Sequence, residues 1–157
     1  MQREIERKFL VKNEDFLGEP GLDRILEITQ GYLSKSDGRI VRVRRVHDIS
    51  DDFKYGQLTI KIKTIDDKNA GVDEFEYDIP YNEAARLLEH CLDQSVRKTR
   101  HVIYYNSTKW EVDVFHDQKN GLILAEVELQ NIIDKIEIPS WVGDEVTGLA
   151  QYFNAKM

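Results

Sequence analysis

The sequence predicts a mainly β fold of the α+β class: an eight-stranded antiparallel β-barrel with a few covering helices, built as one domain over residues 1–157. Three observations carry that prediction. Eight stretches have strand character; seven alternate apolar and charged residues, and the remaining one puts Gln30 and Tyr32 on one face. Within each strand the in-phase charges cluster by sign, whereas a merely solvated sheet face mixes signs to gain cross-strand pairing. One segment, about residues 83–92, repeats its apolar residues at helical spacing and would cover an apolar sheet face.

Composition sets the frame. A chain of 157 residues with 41% hydrophobic and 32% charged residues suits one soluble domain that needs no disulfides, the charge being above the usual quarter. Its single Cys91 excludes an internal disulfide framework and any multi-cysteine metal site, and reads as a buried helix residue. The net charge of −7 speaks against nucleic acid as a partner, because that binding relies on positive surface to displace counterions. No apolar run approaches a membrane span and the amino terminus lacks a secretory layout, so a cytoplasmic protein with no membrane partner is expected.

In chain order, the first strand covers Glu4 to Leu10 and aligns Glu4, Glu6 and Lys8 on one face, against Ile5, Arg7 and Phe9. Residues 12–23, with Gly18, Pro20 and Gly21, read as a loop holding at most one helical turn. A strand near Ile28 runs through Leu33, with Gln30, Tyr32 and Ser34 in phase, and Asp37-Gly38 closes a hairpin over 28–46. The return strand, 39–45, aligns Arg42 with Arg44. Residues 47–56 read as a polar loop, followed by strands over 57–63, with Lys61 and Lys63 in phase, and 73–79, with Glu74, Glu76 and Asp78 in phase.

Pro80 ends that pattern and Asn82 is the expected N-cap of the helix. Strands over 96–105 and 110–115 follow, aligning Lys98 with Arg100 and Glu111 with Asp113. Asn120-Gly121 turns the chain into 122–129, where Glu126 and Glu128 share a face. Residues 131–143 look irregular, and 145–157 suit a short terminal helix. Trp110, Trp141 and Tyr105 read as packing residues. His47, His90, His101 and His116 lack the i, i+4 spacing of a helical zinc site and read as solvated or packed.

An interior lined with so many charges would be unstable if dry, since an unpaired ion in low dielectric costs several kcal/mol or more. A water-filled tunnel with a bound ligand avoids that cost. Arginines and lysines on several walls suit an elongated polyphosphate, the guanidinium forking onto phosphate oxygens and the ammonium acting as a point charge. Carboxylates on other walls suit a hard divalent cation, Mg²⁺ or Mn²⁺. The bland alternative, a half-exposed sheet, explains alternation but not the sorting of signs.

In this setting EIERK at residues 4–8 resembles the ExExK signature of the CYTH superfamily, the triphosphate tunnel metalloenzymes. QGYL, VRVRR, TIKIK, EFEY, RKTR, EVDVF and AEVEL follow in the order such proteins show. The resemblance implies an eight-stranded tunnel, a divalent metal and a small-molecule triphosphate substrate. It assigns Lys8, Arg42, Arg44, Lys61, Lys98 and Arg100 to phosphate, with Lys63 and Glu74 or Glu76 as second contributors. Glu4, Glu6, Asp113, Glu126 and Glu128 become candidates for metal binding or water activation, and Tyr32 would line the tunnel; Glu4, Glu6, Lys8 and Tyr32 form the expected catalytic set.

The activity so implied is hydrolysis of tripolyphosphate to pyrophosphate and phosphate, as in short bacterial tripolyphosphatases. The rivals are a class IV adenylate cyclase, a thiamine or RNA triphosphatase, and a polyphosphate-binding module without turnover. Barrels with exposed apolar faces often dimerise, so the expectation extends to a homodimer.

Overall fold

A computed structural model of the chain describes residues 5–65, 70–129 and 134–152. Glu4 lies outside the described residues. These form nine strands and one α-helix: β1 (Ile5–Val11), β2 (Leu22–Ser36), β3 (Arg39–Asp48), β4 (Phe53–Ile65), β5 (Ala70–Ile79), α1 (Tyr81–Leu88), β6 (Val96–Tyr105), β7 (Thr108–Phe115), β8 (Ile123–Leu129) and β9 (Val142–Glu145). Short 3₁₀ turns occupy Glu14–Gly18, Asp117–Lys119 and Ala150–Tyr152. The expected mainly β, antiparallel architecture is present, with two corrections to the closed eight-stranded barrel. Among the described residues there is a ninth strand, and the hydrogen-bonded order has two ends, β5 and β9, where a closed barrel has none. No helix among the described residues is long and apolar enough to cross a membrane.

Internal contacts divide the chain into two compact units, one built on Glu27–Arg97 and the other on residues 4–26 with 98–157. In the first, the order is β5-β4-β3-β2. The β2–β3 turn needs positive φ, which Gly38 supplies at +77°, and the Gly38 carbonyl accepts from the Lys63 amide at 2.8 Å. The polar run 47–56 is mostly strand rather than loop. Its turn shrinks to residues 49–52 because the Asp48 carboxylate accepts from the Ser50 and Asp51 amides, and Asp52 takes φ +50°. Register places Arg42 opposite Thr59 and Arg44 opposite Gln57, while Lys61 faces Ile40 on one side and Glu74 on the other.

The opposite face of this sheet is apolar and carries α1. The helix packs so closely on β4 that a Cβ at Gly56 would stand 2.6 Å from that of Ala84. It starts at Tyr81 with Pro80 as its N-cap and no side-chain cap, so the expected capping role of Asn82 is corrected. Proline suits that boundary because it lacks an N–H that would need a partner. The helical pattern read over 83–92 ends at Leu88, and the amides of Glu89, His90 and Cys91 bond back three residues in a tightened last turn. Cys91 therefore lies past the helix, half-buried, and burial raises its thiol above the ordinary value.

The second unit contains β6-β7-β8-β1-β9 and the start of β2. Its core joins Phe9, Phe16, Ile103, Trp110, Val112, Ala125, Val127, Leu129, Trp141 and Val142, one apolar face of alternating strands closed by aromatic contacts. The Trp110 and Trp141 rings meet edge to face at 5.9 Å, and Phe16 sits edge-on to Trp141. The region read as irregular thus delivers a core tryptophan and then β9, which pairs with β1 at Phe9–Glu145 and Val11–Val142. The expected terminal helix is reduced to the turn at Ala150–Tyr152, and residues 153–157 lie outside the described residues.

Candidate functional site

Each unit presents one charged strand face. In the second unit it comprises Glu6 and Lys8 on β1, Lys98 and Arg100 on β6, Glu111 and Asp113 on β7, and Glu126 and Glu128 on β8. Antiparallel register stacks these groups in rows: Glu6 opposite Glu128, Lys8 opposite Glu126, Glu126 opposite Glu111, and Asp113 opposite Arg100. Alternation forces them all onto the side away from the tryptophan core.

The best-fixed part of that face is a buried ion cluster. Arg100 forks onto Asp113, Nε donating to Oδ1 at 2.8 Å and Nη2 to Oδ2 at 2.9 Å. Lys98 Nζ stands 2.8 Å from the same Oδ2, and Arg100 Nη1 reaches Glu111 Oε2 at 3.0 Å. Lys98, Arg100 and Asp113 are all buried. Burial would push the Asp113 carboxyl up; the charges of Arg100 and Lys98 and their hydrogen bonds outweigh it and hold the group well below the usual carboxylate range. Burial likewise acts to lower Arg100, and Asp113, Glu111 and Glu126 more than reverse it. Asp113, expected as a candidate for metal binding or water activation, has both oxygens within hydrogen-bond distance of Arg100 and Lys98.

Lys8 is buried between two acceptors. Its ammonium lies 3.3 Å from Glu126 Oε1 and donates to the Tyr152 carbonyl at 2.9 Å. The carboxylates Glu6 and Glu128 face each other directly across β1 and β8. Glu6, Glu126 and Glu128 place carboxylate oxygens, the donor type that hard divalent ions prefer, on this one face. Among the described residues, no group of three or more acidic, histidine or cysteine side chains is already gathered at metal-binding distances.

In the first unit the charged face carries Arg42 and Arg44 on β3, Lys61 and Lys63 on β4, and Glu74 and Glu76 on β5. Arg42 and Arg44 are buried, Lys61 and Glu74 half-buried, Lys63 and Glu76 exposed. Arg44 Nε donates to Gln30 Oε1 at 2.7 Å, and Arg42 Nη2 donates to Thr59 Oγ1 at 3.3 Å. Tyr32, in phase with Gln30 on β2, is buried with the Lys35 ammonium 4.8 Å from its ring centroid. The sequence-based site set omitted Gln30, Thr59 and Glu111. The available signal was phase, since each alternates with a residue that was chosen: Tyr32, Lys61 and Asp113.

Of the histidines, His101 is buried on the core face of β6, edge-on to Phe16, with Nδ1 3.3 Å from the Val112 carbonyl. His116 bonds to the Thr99 hydroxyl at 2.7 Å, and His47 lies beside Asp52 at 2.9 Å.

Such faces, with cations fixed in depth and carboxylates facing one another, suit a ligand that carries several negative charges together with a metal. Comparison with known proteins gives this chemistry a family. The chain is 33% identical over 160 residues to an inorganic triphosphatase of Acetivibrio thermocellus, a match spanning 100% of this chain and 94% of that one. The structure of the inorganic triphosphatase NE1496 superposes with a TM-score of 0.64 at 27% identity, over 98% of this chain and 93% of the other. The fold is shared with a putative adenylyl cyclase of Hippeastrum, HpAC1, described as having a dominant triphosphatase activity, at a TM-score of 0.58 and 16% identity over 82% and 80% of the two chains. The CYTH domain profile matches residues 2–155, and the chain belongs to the CYTH domain family.

Proposed function

We propose that this protein is a metal-dependent triphosphatase that hydrolyses inorganic tripolyphosphate to pyrophosphate and phosphate. The observation that carries the reading is the buried Lys98–Arg100–Asp113 cluster on the same strand face as the opposed pairs Glu6–Glu128 and Glu111–Glu126. The likeness to the inorganic triphosphatase of Acetivibrio thermocellus supports it.

Lys8, Lys98 and Arg100 bind phosphate oxygens and neutralise charge that spreads over them as the phosphoryl group transfers; Arg42, Arg44, Lys61 and Lys63 have the same role. Asp113 orients Lys98 and Arg100, which reach substrate already placed. Glu6, Glu126 and Glu128, with Glu4, hold Mg²⁺ or Mn²⁺, and a bound divalent ion supplies Lewis-acid polarisation of phosphoryl oxygens. One of these carboxylates accepts the proton of the attacking water. As the new P–O bond forms, the bond to the bridging oxygen breaks, and pyrophosphate leaves with its charge held by the basic groups. Glu74 and Glu76 tune the lysines across β4 and β5, and Tyr32, in phase with Gln30 on β2, lines the same face.

The test measures products from tripolyphosphate, ATP and thiamine triphosphate in parallel, with Mg²⁺ and separately with Mn²⁺. The expected result is phosphate and pyrophosphate from tripolyphosphate, far faster than release from ATP. Glu126→Gln is expected to lower metal-dependent turnover by about 10²-fold or more with the fold retained. Cyclic AMP as the main product would replace the hydrolase with a cyclase, and tight binding without turnover would leave a binding module.

A further inference from the structure

We infer that Gln30 is a phosphate-binding and positioning residue: its carbonyl oxygen sets Arg44, and its amide nitrogen donates to a phosphate oxygen of the substrate. The inference deepens the triphosphatase reading and rests on it.

A guanidinium only donates, so the atom of Gln30 that meets Arg44 Nε at 2.7 Å must be Oε1. That contact fixes the amide flip and commits Nε2, with its two donors, to the other side. Gln30 is only 1% exposed, and Nε2 finds no acceptor among the described residues. Arg42, on the same face two residues along from Arg44, has its Nε in the same condition, buried without an acceptor, while its Nη2 is spent on Thr59.

Buried donors are ordinarily paired, and two orphans in one patch ask for an external acceptor. A neutral carboxamide among guanidiniums adds a further argument. The amide orients the Arg44 guanidinium without adding a negative charge of its own. What completes the patch is therefore a group rich in acceptor oxygens and negative charge, which phosphate is and a hydroxyl or carbonyl ligand is not.

The experiment compares Gln30→Leu and Gln30→Glu with the parent in steady-state hydrolysis of tripolyphosphate, in tripolyphosphate binding by calorimetry without turnover, and in thermal unfolding. Gln30→Leu fills the same buried space without donors and is expected to raise KM and the dissociation constant about tenfold, with the unfolding midpoint unchanged or higher. Gln30→Glu is expected to raise both further, and to recover part of the loss as pH falls and its carboxyl protonates.

KM and dissociation constant within about twofold of the parent in both variants would overturn the assignment, as would a lowered midpoint with unaltered binding, which is the mark of a merely structural glutamine. If the parent binds tripolyphosphate without hydrolysing it, the triphosphatase reading fails, and the dissociation constants still decide the role of Gln30. If the parent does not bind it, both fall.

Discussion

On the β6-β7-β8-β1 face the cations are set by carboxylates: Arg100 and Lys98 by Asp113, Lys8 by Glu126. On the β2-β3-β4 face the arginines also use neutral acceptors, Arg44 the Gln30 amide oxygen and Arg42 the Thr59 hydroxyl. The difference separates two jobs that a basic residue in a polyanion site must do. A carboxylate partner stabilises a buried cation strongly and diminishes its field, so the first arrangement favours a permanent scaffold. A neutral partner fixes direction without itself cancelling the charge, so the second favours ligand capture.

Cutting the charged arrangement should have the largest effect. Asp113→Ala removes the carboxylate that Lys98 and Arg100 share, which costs about 3–5 kcal/mol; urea unfolding measures it. Acid reads the same bond. The folded-state carboxyl of Asp113 lies below its unfolded value, so its contribution is fully present above about pH 4 and is lost as pH falls further.

Replacing Arg42 by Ala should give the opposite pattern. It removes a charge with one weak neutral bond, so the unfolding midpoint stays near that of the parent. The affinity for tripolyphosphate should fall by about 1.5–3 kcal/mol, roughly ten- to a hundredfold in KM. If Arg42→Ala unfolds as readily as Asp113→Ala, the distinction between the two faces is lost.

A smaller effect tests whether Asp113 alone accounts for the acid limb. His101, across β6 from Arg100, has its pKa lowered, burial outweighing the Val112 carbonyl and Asp113. A depressed histidine is neutral in the fold, so stability is complete above about pH 6.5 and declines as pH falls below that value. Stability against pH should therefore fall in two stages, and His101→Phe should abolish the upper one while leaving the lower.

Much of this was legible because alternation is strict. The basic and acidic pairs lie on the faces that period two predicts, and β6 has the expected limits, Val96–Tyr105. What escaped was set by partners distant in sequence. Val142–Glu145 has no alternating pattern and becomes a strand only by pairing with β1. The polar run after His47 looked like a loop because two aspartates follow one another, yet Asp48 shortens it into a turn. The phase of Asp113 is legible in the sequence, but its ion pair with Arg100 follows from the register, which puts the two directly opposite. Gln30 went unassigned because an amide carries no charge to be sorted by sign.

The smallest predicted effect calibrates all the others. Arg7 and Glu145 repeat the Arg100–Asp113 fork almost atom for atom, with Nε at 3.1 Å and Nη2 at 2.8 Å from the two carboxylate oxygens. The Arg7 hydrogen bond, followed by that from Thr147, lowers the Glu145 pKa, as the arginine lowers that of Asp113. The difference is water: these side chains retain 29% and 39% of their exposure. In that setting the Coulomb gain is screened and the entropy of holding two long side chains is still lost, so Glu145→Ala should cost only about 0.2–1 kcal/mol, and less in high salt. A cost near that of Asp113→Ala would mean that fork geometry rather than burial makes the Arg100 cluster strong, and the carboxylate-set face would then owe its stability to direction alone, as the neutral-set face does.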